Sequence, residues 1–148
     1  YRGVEDFINQ TLADCQRLGY VSTISGRRRS IVGVRQTPEQ ANFLESAAHR
    51  QLNMPERTAI NTVIQGSAAD LIKMAMVNLH RRLREESYEV RMLLQIHDEL
   101  IFEAAPHILA PLAELIEGEM TQVMPLKVPL KVDIKAGDNW ADCEPWGT

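Results

Sequence analysis

The chain has 148 residues, of which 45% are hydrophobic and 24% charged, the balance of one ordinary globular domain with a modest core. No run approaches the roughly 18 apolar residues that a membrane-spanning helix needs, and no signal-peptide pattern opens the chain. Because it begins at Tyr1 without an initiator methionine, we expect the N-terminus of a longer parent protein to be missing. The two cysteines, Cys15 and Cys143, form no disulfide or zinc pattern, and we interpret both as reduced thiols.

Charge is distributed unevenly along the chain. Residues 1–91 carry 13 basic and 10 acidic side chains, whereas residues 92–148 carry three basic and 10 acidic ones. The asymmetry indicates one surface suited to a polyanion and another suited to cations. A random surface distribution is the alternative explanation.

The first elements predicted are a helix and a hairpin. Apolar residues recur at helical spacing over 3–18, and Gly19 provides the stop. Alternating residues over 20–24, a turn at Ser25-Gly26 and the basic segment 27–32 predict a short hairpin with a basic rim.

Two further helices follow. Thr37 with Pro, Glu and Gln directly after it is a helix start, and this helix should run to about Leu52. Asn53 to Glu56 then breaks it and starts a long helix that ends near Glu86. Gly66 weakens the interior of that helix, where we expect a bend.

The last third of the chain predicts an antiparallel sheet. Apolar segments at 90–96 and 100–104, separated only by His97-Asp98-Glu99, predict a hairpin. The remaining patterns predict a helix over 108–123, a strand over 128–134 and a loop over 137–140. This order indicates an antiparallel sheet with helices on one face, an α+β fold.

His97-Asp98-Glu99 is the first candidate site. Burying an unpaired carboxylate is very unfavourable, so adjacent acids between apolar strands should be exposed or should bind a ligand. Mg²⁺ prefers oxygen ligands and is commonly held by one or two carboxylates together with substrate phosphates. Because successive strand residues face opposite sides, we expect one carboxylate to bind a metal directly and the other to lie further out. A simple polar turn is the alternative.

Arg57, Asn61 and Gln65 are spaced four residues apart, so they form one stripe on the long helix. The residues assigned to its opposite, apolar side are Ile60, Val63, Ile64, Ala68, Leu71 and Ile72. The stripe offers hydrogen-bond donors, and the DNA minor groove presents acceptors at equivalent places in every correct base pair. It therefore suits a surface that tests base-pair geometry without reading sequence; a solvated polar face is the alternative.

Arg27, Arg28 and Arg29 form a basic run at the end of the first hairpin, and Arg35 follows closely. Arginines in such a run suit the binding of DNA phosphates. A solvent-facing basic turn explains the same residues equally well.

Four blocks of the sequence resemble family A DNA polymerases, the bacterial DNA polymerase I type. Residues 95–100 (Gln-Ile-His-Asp-Glu-Leu) resemble motif C of that family, and residues 56–70 resemble the run upstream of it. Gly19-Tyr20-Val21 with residues 26–29 is similar to the family's basic hairpin, and residues 137–140 to its C-terminal ending. Because the four blocks occur in the family's order across nearly the whole chain, they are specific together.

The resemblance implies a partial polymerase palm, an antiparallel sheet with a catalytic hairpin packed against helices. Asp98 would be a metal-binding aspartate with Glu99 as the neighbouring carboxylate, and His97 would lie near the primer terminus. The stripe Arg57, Asn61 and Gln65 would contact the minor groove, and the basic hairpin the DNA. Two Mg²⁺ ions, primer-template DNA and deoxynucleoside triphosphates are the implied cofactors and partners. The implied location is the cytoplasm, with no membrane partner.

The same resemblance implies two regions in the chain and shows where the chain departs from the family's pattern. Residues 1–56 would hold the helix, basic hairpin and a helical insertion, and residues 57–148 the palm with motif C. The stretch 30–55 is longer than usual in the family, and Ile31-Val32-Gly33 lacks its common Tyr and Pro.

Motif A, the fingers and the thumb would be supplied by the rest of the polymerase chain. We therefore expect the isolated 148 residues to be inactive. The expected activity of the whole polymerase is DNA-directed nucleotidyl transfer in replication or repair. A non-catalytic DNA-binding relative is the alternative.

Overall fold

Helices and short antiparallel strand pairs make up the computed structural model, which describes residues 1–35 and 51–147. In chain order these are α1 (Arg2–Leu18), β1 (Tyr20–Ser22), β2 (Arg28–Ser30), α2 (Met54–Glu85), β3 (Val90–Ile96), β4 (Glu99–Ala104), α3 (Leu109–Thr121), β5 (Lys135–Ala136) and β6 (Glu144–Pro145). Strands β1 and β2, β3 and β4, and β5 and β6 form antiparallel pairs. The α+β class predicted from the sequence is confirmed. No helix in the described ranges is long and apolar enough to cross a membrane.

The chain divides into two units, Tyr1–Asp70 and Leu71–Thr148. In the first, α1 ends as predicted at Gly19, whose φ of 76° is the left-handed conformation that glycine adopts without strain. Leu12 and Cys15 of α1 are buried with Val21 and Ala59 in one apolar cluster. This cluster anchors the β1–β2 hairpin within the first unit.

The start of α2 is closed by a reciprocal pair of hydrogen bonds. Asn53 Oδ1 accepts from the Glu56 N–H at 2.9 Å, and Glu56 Oε2 accepts from the Asn53 N–H at 2.8 Å. Glu56 is fully buried and forms an ion pair with Arg35, whose Nη2 lies 2.8 Å from Oε2. Arg35 Nη2 also donates to the Gln51 carbonyl at 2.8 Å. Residues 35 and 51–53 are therefore joined to the first turn of α2.

In the second unit, one face of the β3–β4 hairpin packs on helices. Leu79, Leu83, Leu112 and Ile116 form its buried cluster. The strand residues packed against this cluster are Val90, Met92, Leu100, Phe102 and Ala104. Strand register shifts between Met92 and Leu94, so Leu94 pairs with Ile101. Hydrophobic burial on one face thus fixes which strand residues point away from it.

Several predicted elements differ from the structure. The strands of the first hairpin are shorter than 20–24 and 27–32. The helix predicted from Thr37 falls mostly outside the described residues. Its predicted end at Leu52 is wrong, because residues 51–53 are not helical and Asn53 caps the next helix.

The predicted strand over 128–134 is also wrong. These residues form no strand, and the pairing occurs instead between β5 and β6. Pro129 lies inside the segment and has no N–H to donate to a ladder, which disfavours a central strand there. The apolar alternation of the segment therefore predicted a strand that its backbone donors do not support.

Candidate active site and nucleic-acid interface

The β3–β4 hairpin closes through a two-residue turn. Ile96 pairs with Glu99, which leaves only His97 and Asp98 between the strands. His97 has a φ of 52°, a left-handed conformation that suits a tight turn but is uncommon for a residue with a side chain. The Gln95 side-chain amide donates to the His97 carbonyl and so supports this turn. The predicted three-residue connection is wrong by one residue, because Glu99 is already the first residue of β4.

The side chains of His97, Asp98 and Glu99 are exposed. Within the part of the chain that the structure describes, no hydrogen bond or ion pair reaches the Asp98 or Glu99 carboxylate. Asp98 belongs to the turn and not to a strand, so strand alternation does not separate its carboxylate from that of Glu99. Two adjacent solvated carboxylates remain open to a cation or a donor from outside this unit.

The donor set of this turn fits part of a magnesium site. No cluster of three or more His, Cys, Asp or Glu side chains placed to hold a metal occurs among residues 1–35 and 51–147. One or two carboxylates are nevertheless the usual protein share of a Mg²⁺ site, with phosphates and waters completing the shell. Asp98 and Glu99 therefore fit Mg²⁺ as two of several ligands.

The stripe of Arg57, Asn61 and Gln65 is exposed along its length, as predicted. The assignment of the opposite side is partly wrong, because Ile64 and Ala68 are exposed on the same face. At about 100° per residue, Ile64 and Ala68 fall within a quarter turn of Arg57 and Asn61. The exposed face is therefore a row of hydrogen-bond donors bordered by apolar contacts, with Ile64 56% exposed.

The buried side of this part of α2 carries two acids, Glu56 and Asp70, beside Ala59. Asp70 Oδ2 accepts from Ser25 Oγ at 2.6 Å, and Asp70 Oδ1 accepts from Arg27 Nε at 2.8 Å. Hydrogen bonds from Ser25 first, then Thr23 and Arg27, hold the pKa of Asp70 below its usual range despite its burial. Asp70 therefore carries its charge as an internal acceptor for the β1–β2 hairpin.

Each arginine of the basic run has a partner inside the protein. Arg27 is held by Asp70, the Arg28 guanidinium carbon lies 4.8 Å from the centroid of the Tyr20 ring, and Arg29 Nη1 donates to Thr62 Oγ1 at 3.1 Å. Arg35, predicted to hold phosphate with them, is instead engaged by Glu56, which raises the pKa of the Arg35 guanidinium. Arg35 thus differs from the three arginines of the basic run in being paired with a fully buried carboxylate.

The sequence analysis did not single out Asp70 and Glu56. These two acids bind Arg27 and Arg35 from the buried side of α2. Both lie on the apolar side of α2, together with Ala59 and Val63. An acid on the buried face of an amphipathic helix signals a buried ion pair. The sequence alone gives no indication of which arginine is its partner.

The comparisons with known proteins were decisive for the family. The sequence profile described as DNA polymerase family A matches residues 1–142. The chain belongs to DNA polymerase family A. The predicted resemblance is thereby confirmed, and every candidate site residue lies inside the matched range.

Several proteins similar to this family A chain are named DNA polymerase I. The protein of Chloroflexus aurantiacus is 44% identical over 146 residues, which are 98% of this chain and 14% of that protein. The protein of Geobacillus stearothermophilus is 41% identical over 147 residues, 97% of this chain and 15% of that protein. The chain thus spans about one seventh of the length of these relatives.

A solved structure resembles the fold. It is described as the POL domain of Pol1 from M. smegmatis in complex with DNA primer-template and dNTP. The TM-score is 0.71 at 37% sequence identity, and the match covers 88% of this chain and 21% of that one. The arrangement of helices and small antiparallel sheets described above is thus similar to part of a polymerase domain.

Proposed function

We propose that this chain is a segment of a DNA-directed DNA polymerase that extends a primer 3′ end in replication or repair. The observation that carries the proposal is a pair of exposed carboxylates, Asp98 and Glu99, which have no partner among the described residues of a chain matching DNA polymerase family A. The structural neighbour, described with primer-template DNA and dNTP, supports these two ligands as partners.

In this proposal Asp98 is a direct ligand of Mg²⁺ and Glu99 is the outer carboxylate. The chemistry expected of two bound Mg²⁺ ions is activation of the primer 3′-hydroxyl and stabilisation of the leaving pyrophosphate. Asp98 presents its carboxylate from a turn, while Glu99 is fixed by pairing with Ile96 at the start of β4. His97 lies in the same turn and contacts the primer terminus. Motif A, the fingers and the thumb come from the rest of the polymerase chain.

The exposed face of α2 contacts the duplex in this proposal. Arg57, Asn61 and Gln65 donate hydrogen bonds to minor-groove acceptors, which occupy nearly the same places in A·T and G·C pairs. Ile64 adds an apolar contact at the edge of this row of donors. Arg28 and Arg29 of the first hairpin bind phosphates, which orient the duplex without reading its sequence.

Primer extension by the full-length gene product that contains these residues tests the proposal. With Mg²⁺ and a primed template, we expect incorporation of the nucleotide complementary to each template base. Chelation of the metal should abolish incorporation while most duplex binding remains, because duplex affinity comes mainly from phosphate contacts.

The same experiment addresses the alternative. Duplex binding without any incorporation, in a product that is folded, would overturn the proposed polymerase activity and support a non-catalytic DNA-binding relative. Incorporation that ignores the template would contradict the proposed role of the α2 face. The isolated 148-residue chain should give no product, since Asp98 and Glu99 are only part of the ligand set.

A further inference from the structure

The β1–β2 hairpin is attached to α2 through the buried carboxylate of Asp70. Both oxygens of this carboxylate are used, one by Ser25 Oγ and the other by Arg27 Nε. Ser25 lies in the turn of the hairpin and Arg27 directly precedes β2, and both are 43 to 45 residues away from Asp70 in the chain. A single side chain of α2 therefore holds both the turn of the hairpin and the residue that leads into β2.

Other contacts join the same two elements. Arg27 Nη2 donates to the Gly66 carbonyl at 3.2 Å, and the Ile24 N–H donates to Ser67 Oγ at 2.9 Å. A Cβ at Gly66 would lie 2.8 Å from Thr23 Cγ2, so the absence of a side chain at this position permits the close approach. Helix α2 continues through Gly66, and this glycine permits the close approach of the hairpin.

Arg27 is poorly placed to bind phosphate. Two of its nitrogens are already used by Asp70 and by the Gly66 carbonyl. A phosphate bound to the same guanidinium would lie close to the Asp70 carboxylate and be repelled by it. Because the Arg27–Asp70 pair has no net charge, it adds little to the electrostatic attraction for DNA.

We propose that Asp70 and Arg27 are positioning residues, which lock the β1–β2 hairpin onto α2 so that Arg28 and Arg29 are held for DNA phosphates. The proposal rests on the proposed DNA polymerase function and reassigns Arg27 from DNA ligand to internal support. The bond from Arg29 to Thr62 attaches one of these arginines to the same helix that carries Asn61 and Gln65. The Asp70 lock thus joins the phosphate contacts and the minor-groove face into one surface.

Asp70→Asn gives a test whose sign separates positioning from simple electrostatics. The substitution removes a negative charge from the DNA-binding unit, so charge alone predicts tighter binding. A positioning role predicts weaker binding, by about three- to tenfold, which corresponds to the loss of about one hydrogen bond. The measurement is the Kd of the full-length protein for primer-template DNA across a range of salt concentrations.

The salt dependence adds a second readout. Releasing the hairpin removes phosphate contacts of Arg28 and Arg29, so the slope of log K against log salt should fall by about one to two. Arg28→Ala should lower the slope by about one. Asp70→Asn is expected to lower the slope although it removes no positive charge.

Asp14→Asn is the matched control. Asp14 also pairs with an arginine in the first unit, since Arg17 Nη2 lies 2.7 Å from its Oδ1. This pair is on the surface of α1 and supports no hairpin. We expect Asp14→Asn to leave the DNA Kd and its salt slope unchanged.

A double-mutant cycle tests the reassignment of Arg27. If Arg27 acts only through Asp70, Arg27→Ala should add almost nothing in the Asp70→Asn background. A further loss in that background would show that Arg27 binds DNA directly and would overturn the reassignment. Ser25→Ala, which leaves the ion pair in place, should give an intermediate loss of affinity and guards against misfolding of the other variants.

The outcomes distinguish this proposal from the proposed function. If wild-type protein binds DNA but extends no primer, the proposed polymerase activity is overturned. The positioning role of Asp70 is then still decided by the DNA Kd and its salt slope. Wild-type affinity and slope in folded Asp70→Asn, or tighter binding, overturns the lock and leaves the polymerase activity standing. Wild-type protein that binds no DNA overturns both.

Discussion

The two hairpins of this chain carry opposite charges and use them differently. In the β1–β2 hairpin, Arg27 has a side chain that is 55% exposed, yet it is bound to the buried Asp70. At the tip of the β3–β4 hairpin, Asp98 and Glu99 are exposed and have no partner in the described ranges. The charge of Arg27 thus attaches the β1–β2 hairpin to α2, whereas the charges of Asp98 and Glu99 in the β3–β4 hairpin are available to bind a ligand.

This difference separates charged residues that hold the fold together from charged residues that can bind a ligand. A charged group that already has a well-placed counter-charge loses that interaction when it binds a ligand, whereas a solvated carboxylate loses only its water. Exposure alone would have classed Arg27 and Asp98 together. The presence or absence of an internal partner distinguishes them.

The largest expected effect concerns the unpartnered carboxylates. Asp98→Ala in the full-length polymerase should lower the extension rate by more than about 10²–10³-fold, the usual cost of losing one electrostatic group at a transition state. Primer-template affinity should change little, because it depends on phosphate contacts. Single-turnover extension and equilibrium binding measure the two quantities.

Glu99→Ala should be milder than Asp98→Ala, since Glu99 is the outer carboxylate. Glu114→Ala is the control, because Glu114 is also exposed but lies on α3. Equal rate losses for Asp98→Ala and Glu99→Ala would contradict the proposed order of the two ligands.

The next largest effect concerns the buried acid at the start of α2. Glu56→Ala removes the ion pair with Arg35 and the hydrogen bond from the Asn53 N–H. Hydrogen bonds to a charged group contribute about 1.5–3 kcal/mol, so the free energy of unfolding should fall by roughly that amount. Urea unfolding measures it, with Glu114→Ala expected to stay within about 0.5 kcal/mol of wild type. A similar small change for Glu56→Ala would show that Glu56 is not structurally required.

The elements that sequence predicted well are those with long, consistent periodicity. Helix α2 runs from Met54 to Glu85, close to the predicted bounds, because a capping signal and apolar spacing agree over its length. Strands β3 and β4 were also placed nearly correctly, because two apolar runs flank a short polar turn. The exposed acids at that turn follow from the same pattern.

The parts that could not be predicted depend on contacts between distant residues. Asp70 and Arg27 are 43 residues apart, and nothing in local spacing identifies the pair. The segment 128–134 shows the converse case, in which alternation is present but a strand is not formed. The local sequence pattern predicts which secondary structure a segment prefers. Its backbone and side-chain partners in the fold determine which structure it adopts.

A smaller effect should appear in the pH dependence of stability. The pKa of Asp70 is lowered in the folded state, so its stabilising contribution is present above the ordinary aspartate pKa of about 3.9. That contribution is lost as the pH falls through the lowered pKa. The difference in unfolding free energy between wild type and Asp70→Asn should therefore be constant from neutral pH to about pH 5 and shrink below the ordinary aspartate pKa.

Urea unfolding of both proteins between pH 7 and pH 3 checks this expectation. A difference that grows on acidification would mean that the charged form of Asp70 is disfavoured by folding, contrary to its hydrogen bonds. Such a result would also weaken the contrast between the two hairpins, since the Asp70 charge would no longer support the first one.

The smallest expected effect concerns the α2 face, which lies between the two hairpins in the sequence. Gln65→Ala in the full-length polymerase should reduce extension by roughly a few-fold to tenfold, because one hydrogen bond contributes about 0.5–1.5 kcal/mol. The loss should be similar for every template sequence, since minor-groove acceptors are shared by all correct base pairs. A primer whose terminal base lacks the minor-groove acceptor should reproduce this loss in wild type and add little in Gln65→Ala. If the two losses simply add, Gln65 does not contact the minor-groove acceptor. The row of exposed donors on α2 is then only a solvated helix face.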